Sequence, residues 1–263
     1  MNIWKGIITI KEWCLWGGRL RERVLVDLLR RHYVSVFRRE WELAPEHPHF
    51  ESQHAFFFQM GFGFHMFPAQ AFSRGMFGVD ILKKTDVLLD IGCGDGFFTR
   101  RFFAPACARV DALDIDPSAI RCAKSRHAAR TIQYYLRDAI LQPFPAADYN
   151  CVIWDGGIGH LSSDASRVVL KKISSALPAD GIFAGSESLG IEGADHLQVF
   201  NRAEDLGQLM QPFFSNIQFR VVEYNLPWAG NLLRKEIYWR CSNSALRLRE
   251  ANWTLWERQQ PEQ

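Results

Sequence analysis

The sequence predicts an α/β fold in which a mostly parallel sheet lies between helices. Three observations carry this. Val87, Leu88, Leu89 and Ile91 form a nearly continuous apolar run, as expected of a strand covered on both faces. Gly92, Gly94 and Gly96 follow at once, so the strand ends in a tight turn where a ligand can approach the backbone. Further strand-like runs at 109–114, 131–138 and 149–154, and one ending near Glu187, then alternate with helical signals.

The first turn restricts its ligand. The glycines run G-x-G-x-G, and Phe97 stands where a dinucleotide fingerprint wants its third glycine. Asp90 and Asp95 flank the turn with no Lys or Arg inside it, so a pyrophosphate would meet like charge. A ligand with no phosphate and a positive end suits it better. Cys93 sits inside the turn, where a small side chain fits. In the second unit, Asp116 is placed as an N-cap before Pro117. Asp114 lies 22 residues after Gly92, the spacing at which an acid reaches ribose hydroxyls in this architecture. The third strand ends at Asp138, followed by Ala139. The fourth ends at Trp154 and Asp155, and leads through Gly156, Gly157 and Gly159 to His160 and Leu161. Pro178 and Gly181 mark the turn before the fifth strand, which ends near Glu187.

These segments, in this order, resemble the class I S-adenosylmethionine-dependent methyltransferases. The resemblance covers residues 83–241. It implies a Rossmann-like, seven-stranded, mostly parallel sheet whose last two strands form an antiparallel pair, expected at 213–224 and 236–241. It implies S-adenosyl-L-methionine as cofactor, held by Asp90, Gly92, Cys93, Gly94 and Gly96. Asp114 would bind the ribose, Ile115 would pack on adenine, and Asp138 with Ala139 would meet the adenine amino group. Trp154 would border the methyl group. Methyl transfer needs positioning above all, and a hydroxyl acceptor also needs a base. His160 is the first candidate because imidazole titrates near neutrality, and Asp155 and Glu187 are the neighbouring acids. His160 can equally be a packing residue.

At 263 residues the chain suits one domain with additions: a helical N-terminal cap and acceptor lid over 1–82, and a helical tail over 242–263. A helix is expected from Leu20 to about Trp41, with Val24, Leu25, Leu28 and Leu29 on one face. The phenylalanine-rich stretch 56–77 suits a lid over an apolar acceptor pocket. Three histidines at 47, 49 and 54 lack metal-ligand spacing, and no metal is expected. The net charge of +2 is not that of a dedicated nucleic-acid binder. Six scattered cysteines without a C-x-x-C pair suit reduced thiols in the cytoplasm. Trp4, Trp13 and Trp16 followed by Arg19, Arg21 and Arg23 leave peripheral membrane contact or a homo-oligomer interface open. The favoured acceptor is oxygen or nitrogen of a small molecule, such as a glycan or lipid precursor. Alternatives are a protein or RNA acceptor, or a non-catalytic cofactor-binding module.

Overall fold

The computed structural model describes residues 66–190, 196–226, 232–244 and 254–255, together with Arg21, Val24 and Leu28. The chain divides into two compact units, Met1–His49 and Phe50–Gln263. In the first, Arg21, Val24 and Leu28 are helical and exposed, so neither Val24 nor Leu28 is covered as the expected apolar face requires. The N-terminal tryptophans, the three histidines and the stretch 56–65 lie outside the described residues.

In the second unit the first described element is helix α1 (Met66–Asp80). It runs through Pro68, which falls in its first turn, where no intrahelical N–H is lost. The sequence reading puts this helix in the N-terminal cap. It belongs instead to the unit that contains the sheet. Two glycines one turn apart let α1 approach closely. A Cβ at Gly75 would stand 2.4 Å from the Phe102 ring, and one at Gly78 2.4 Å from the Phe103 ring.

Five parallel strands follow: β1 (Val87–Ile91), β2 (Arg109–Asp114), β3 (Ile132–Leu136), β4 (Cys151–Asp155) and β5 (Ile182–Leu189). Between them come a one-turn π-type helix at Thr99–Phe103, α2 (Pro117–Arg126) and α3 (Ser163–Ala176). After α4 (Ala203–Met210), β6 (Asn216–Leu226) and β7 (Leu232–Ser242) make a long antiparallel pair, and β7 also runs antiparallel to β5. The order is β3-β2-β1-β4-β5-β7-β6, extended by β8 (Thr254–Leu255) on β6. Those two residues are extended where the sequence reading has a helical tail. They supply ladder partners to Gln218 and Phe219, and so cover part of an edge that would otherwise be unpaired.

Period-two alternation sorts the side chains into two cores. Leu89, Ile91, Val152 and Trp154 face α3 and α4, where Val169, Leu170 and Ile173 form the buried stripe of α3. Leu88, Ile153 and Ala184 face the other way, toward Phe98, Phe103 and the buried side of α2. Asp116 caps α2 by accepting from the N–H groups of Ser118 and Ala119 at 2.7 and 3.1 Å, as its position before Pro117 predicts. Strand order reverses between β1 and β4, and such a switch point opens a crevice beyond the carboxyl ends of the strands.

Candidate functional site

The crevice is built on the turn after β1. The N–H groups of Gly92 and Cys93 both donate to the Leu113 carbonyl, at 2.8 and 3.0 Å, tying the turn to the end of β2. Gly94 has φ +54° and open space where a Cβ would point, so a ligand can lie against its backbone. Gly96 has φ +79°, and a Cβ there would fall 2.6 Å from the Tyr134 hydroxyl. Asp114 accepts from Gly94 N–H through one carboxylate oxygen and from Asp116 N–H through the other, both at 2.8 Å. Each oxygen keeps a lone pair for a ligand hydroxyl. Ile115, just beyond it, is 54% exposed, a bare aliphatic surface beside a carboxylate.

Asp90 lies beneath this turn, buried, accepting from the Thr99 hydroxyl at 2.5 Å. Burial pushes its carboxyl up to about 7, with Asp155 and Asp114 adding to the rise against the Thr99 bond. A carboxyl held above its unfolded value binds more protons in the native state, so its stabilising contribution is lost as pH rises from about 4 to about 7. We expect Asp90→Asn, which can still accept from Thr99, to flatten this part of the stability profile. Urea unfolding at pH 5 and pH 8 measures it, and a wild-type-like slope in the variant would remove Asp90 as the cause. Burial, with Asp114, Asp90 and Asp95 adding to it, pushes the Cys93 thiol well above the ordinary range, so it packs and does not react.

At the end of β3, one carboxylate oxygen of Asp138 accepts from Ile140 and Leu141 N–H at 2.6 and 3.2 Å, capping its own turn, and Ala139 follows half-buried. Trp154 is buried; its indole edge lies 2.4 Å from where a Gly157 Cβ would stand and 4.0 Å from a Gly92 Cβ. It is the floor between the two glycine turns.

The opposite wall carries the charged groups. Asp155 pairs with Arg74 of α1, whose Nε and Nη2 stand 3.0 and 2.9 Å from one carboxylate oxygen, while the other accepts from the Ser186 hydroxyl. Both oxygens of Asp155 are thus engaged within the protein, by Arg74 and by Ser186. Glu187 is buried and accepts from Gly159 N–H at 2.8 Å and Ser188 N–H at 2.9 Å. Burial alone would raise its carboxyl, but His196 and the two amides outweigh burial and hold it below the ordinary value. His196 Nε2 stands 3.6 Å from Glu187, and the His160 ring, exposed, lies 4.3 Å from that of His196 between centroids. His196 was not singled out in the sequence, because a lone histidine in a loop has no periodicity or spacing to mark it. The sequence offers Arg74 as a contact to the cofactor carboxylate or as an exposed arginine, with nothing in it to mark the Asp155 pairing.

The turns at both walls are therefore assembled on one carboxyl edge, around the switch point. Residues 88–181 match the methyltransferase domain family. Over these residues the chain carries a methyltransferase domain, on the fold of the class I S-adenosylmethionine-dependent enzymes. An uncharacterized methyltransferase of Mycobacterium bovis is 29% identical over 100 residues, 38% of this chain and 49% of that protein, and a Mycobacterium tuberculosis counterpart matches equally. The chain thus spans about half the length of the curated relatives it matches. Among solved structures, a putative methyltransferase from Bacillus halodurans superposes with a TM-score of 0.54 at 13% identity, over 65% of this chain and 99% of that one. The N-methyltransferase NodS from Bradyrhizobium japonicum, in complex with S-adenosyl-L-homocysteine, gives 0.53 at 18%, over 66% and 87%. The methyltransferase match covers β1 to the turn before β5, which includes the Gly92–Gly96 turn, Asp114, Asp138 and His160 but not Arg74, Glu187 or His196.

The residues fit S-adenosylmethionine on the chain's own terms. Gly94 leaves the cradle that a Cβ would fill. Asp114 offers two anchored acceptors, Ile115 offers an aliphatic face, and no cation occupies the turn sequence to favour a phosphate.

Proposed function

We propose that the chain transfers a methyl group from S-adenosylmethionine to an oxygen or nitrogen of a small molecule. The observation that carries this is the Asp114 carboxylate, fixed by two backbone N–H groups beside the open face of Gly94. In this reading Asp114 binds the ribose hydroxyls, Ile115 covers one face of the adenine, and Asp138 with Ala139 borders its edge. The Gly92–Gly96 turn, with Asp90 and Cys93 beneath it, shapes the cradle, and Trp154 is its floor. The cofactor supplies a methyl already activated by its sulfonium. The chain's task is to align the acceptor with the carbon–sulfur bond and keep water out.

Between α1 and the sheet, Arg74, Phe77, Ile153, Asp155, Tyr238 and Trp239 line a gap with room for about one water, so α1 is packed closely on this side of the site. Phe77 stacks on Tyr238 with centroids 3.8 Å apart, so this wall is aromatic and rigid. Five free thiols, Cys93, Cys107, Cys122, Cys151 and Cys241, are buried, which fits a reducing, cytoplasmic setting.

The test is methyl transfer from radiolabelled S-adenosylmethionine into a lysate split into small-molecule, lipid, RNA and protein pools, with S-adenosylhomocysteine affinity measured by calorimetry. Label in the small-molecule or lipid pool is the expected result. Label confined to RNA or protein overturns the acceptor class. Binding without label in any pool points to a module that holds the cofactor without catalysis.

A further inference from the structure

We infer that Lys172 of α3 sets the selectivity of the site for adenine, by fixing the 138–142 turn that carries Asp138; the inference rests on the methyltransferase reading above. The turn lies beside the acid assigned to the ribose. Leu136, the last residue of β3, pairs with Asp114 in the ladder, and the Arg137 N–H donates to the Asp114 carbonyl at 2.8 Å. Asp138 comes next in the chain. Ile115 and Leu136, 54% and 53% exposed, leave aliphatic surface next to Asp114, which suits a flat heterocycle.

Two opposite charges hold this turn by the two ends of its peptide groups. One Asp138 carboxylate oxygen accepts from the N–H groups of Ile140 and Leu141, at 2.6 and 3.2 Å. The carbonyls of those same two peptide groups belong to Ala139 and Ile140. Both accept from Lys172 Nζ, at 2.6 and 3.4 Å, and the Gln142 carbonyl accepts from it as well. In a trans peptide the C=O and N–H point opposite ways. An anion on the N–H side and an ammonium on the C=O side therefore fix both planes. The ammonium has three donors, and these three carbonyls match them.

Lys172 is itself well seated. It stands on α3 between Val169 and Ile173, both buried in the core, and its Nζ lies over the Phe144 ring, 5.1 Å from the centroid. Burial pulls its ammonium below the ordinary value, against the attraction of Asp138. A lysine that served only to solvate the helix, like the exposed Lys171 before it, would avoid that cost. The rest of the turn closes on itself: Asp138 N–H donates to the Gln142 side chain at 2.9 Å, and Gln142 N–H to the Asp138 carbonyl at 3.0 Å. Lys172 braces it from another element, 30 to 33 positions away.

Selectivity follows from this rigidity. The other Asp138 oxygen takes no bond among the described residues, so it is left to accept from a ligand. The 6-amino group of adenine donates to it. Hypoxanthine carries an oxygen at that position, and two acceptors facing each other repel. A carboxylate held in place makes this distinction at full strength. One that swings takes its hydrogen bonds from water and admits either base. Lys172 is thus a positioning residue, which acts on the nucleoside through the turn and Asp138.

Two measurements on the full chain test this. Lys172→Met keeps the aliphatic stem and removes the donors. In the free protein it should speed hydrogen exchange at the Ile140 and Leu141 amides by about tenfold or more. Unchanged exchange overturns the brace whether or not the chain binds a nucleoside. Calorimetry then compares S-adenosylhomocysteine with S-inosylhomocysteine, its hypoxanthine counterpart. The wild type should prefer the adenine ligand by about 10- to 100-fold, the range of a hydrogen bond to a charged group. Lys172→Met should cut that preference by about tenfold through weaker adenine binding, and Lys171→Met should match the wild type. In an Asp138→Ala background, Lys172→Met should change the preference by less than about twofold, because the two side chains act as one unit. An unchanged preference in Lys172→Met, equal weakening of both ligands, or additive losses in the double variant overturns the proposal while leaving the methyltransferase reading intact. A wild-type chain that binds neither ligand would instead defeat that reading.

Discussion

Asp114→Ala should weaken S-adenosylhomocysteine binding by one to two orders of magnitude. In the proposed binding mode the ribose hydroxyls donate to this carboxylate, and each such charge-assisted bond contributes about 1.5–3 kcal/mol, with about 1.4 kcal/mol per tenfold in affinity. The structure adds a second cost. The same carboxylate is the acceptor for Gly94 and Asp116 N–H, so the alanine variant loses the brace that holds the turn in its binding shape. Asp114→Asn keeps one acceptor oxygen and should fall between wild type and alanine. Calorimetric titration measures the affinity, and thermal unfolding of the free protein reports the turn separately. An alanine variant with unchanged affinity and a lowered Tm would confine Asp114 to a structural role and move the ribose contact elsewhere.

Gly185→Ala should destabilise the fold by about 3 kcal/mol or more, among the larger effects of adding a single methyl to a core. Gly185 sits in β5 between Trp154 of β4 and Trp239 of β7. A Cβ there would lie 2.0 Å from the Trp154 carbonyl oxygen and 2.4 Å from the Trp239 ring. The ring is wholly buried and the oxygen is backbone, so neither can give way without opening a strand pair. Urea unfolding should show a lower midpoint at unchanged slope. A midpoint like that of the wild type would mean that the β4–β5 seam widens cheaply.

Much of this architecture was legible in the chain. The apolar runs ending in glycines or acids placed β1 to β5, and Met210 closes the last helix where the following Pro212 suggests. The positions of Gly92–Gly96, Asp114 and Asp138 at strand ends were legible for the same reason: they are set by spacing along consecutive strand–turn units, which one sequence displays. The opposite wall was not. Arg74 reaches Asp155 across 81 positions, and His196 meets Glu187 only because Leu197 and Gln198 fold back onto Gly159. Contacts of that kind come from tertiary packing and leave no period. Asp155 illustrates the limit. Its place at a strand end was read correctly, but its neutralising partner comes from a helix assigned to another region. Thr254 and Leu255 were misjudged because the tryptophans around them suggest packing, whereas ladder pairing to β6 decides their conformation.

The seating of α1 has a consequence for how the protein is made. Phe77 stacks on Tyr238, and Asp80 bonds to the buried Arg240, so the first described helix docks on the last long strand. During translation, α1 leaves the ribosome some 160 residues before its partners exist. Over that interval α1 can already lie on Phe102 and Phe103, but its Phe77 and Asp80 lack their partners on β7, and the edge of β5 that β7 will later occupy is open. Both are closed by one event, the arrival of the β6–β7 hairpin. Completion of this domain is thus a late, single commitment, and the preceding interval is when a chaperone or a wrong partner has the most surface to hold.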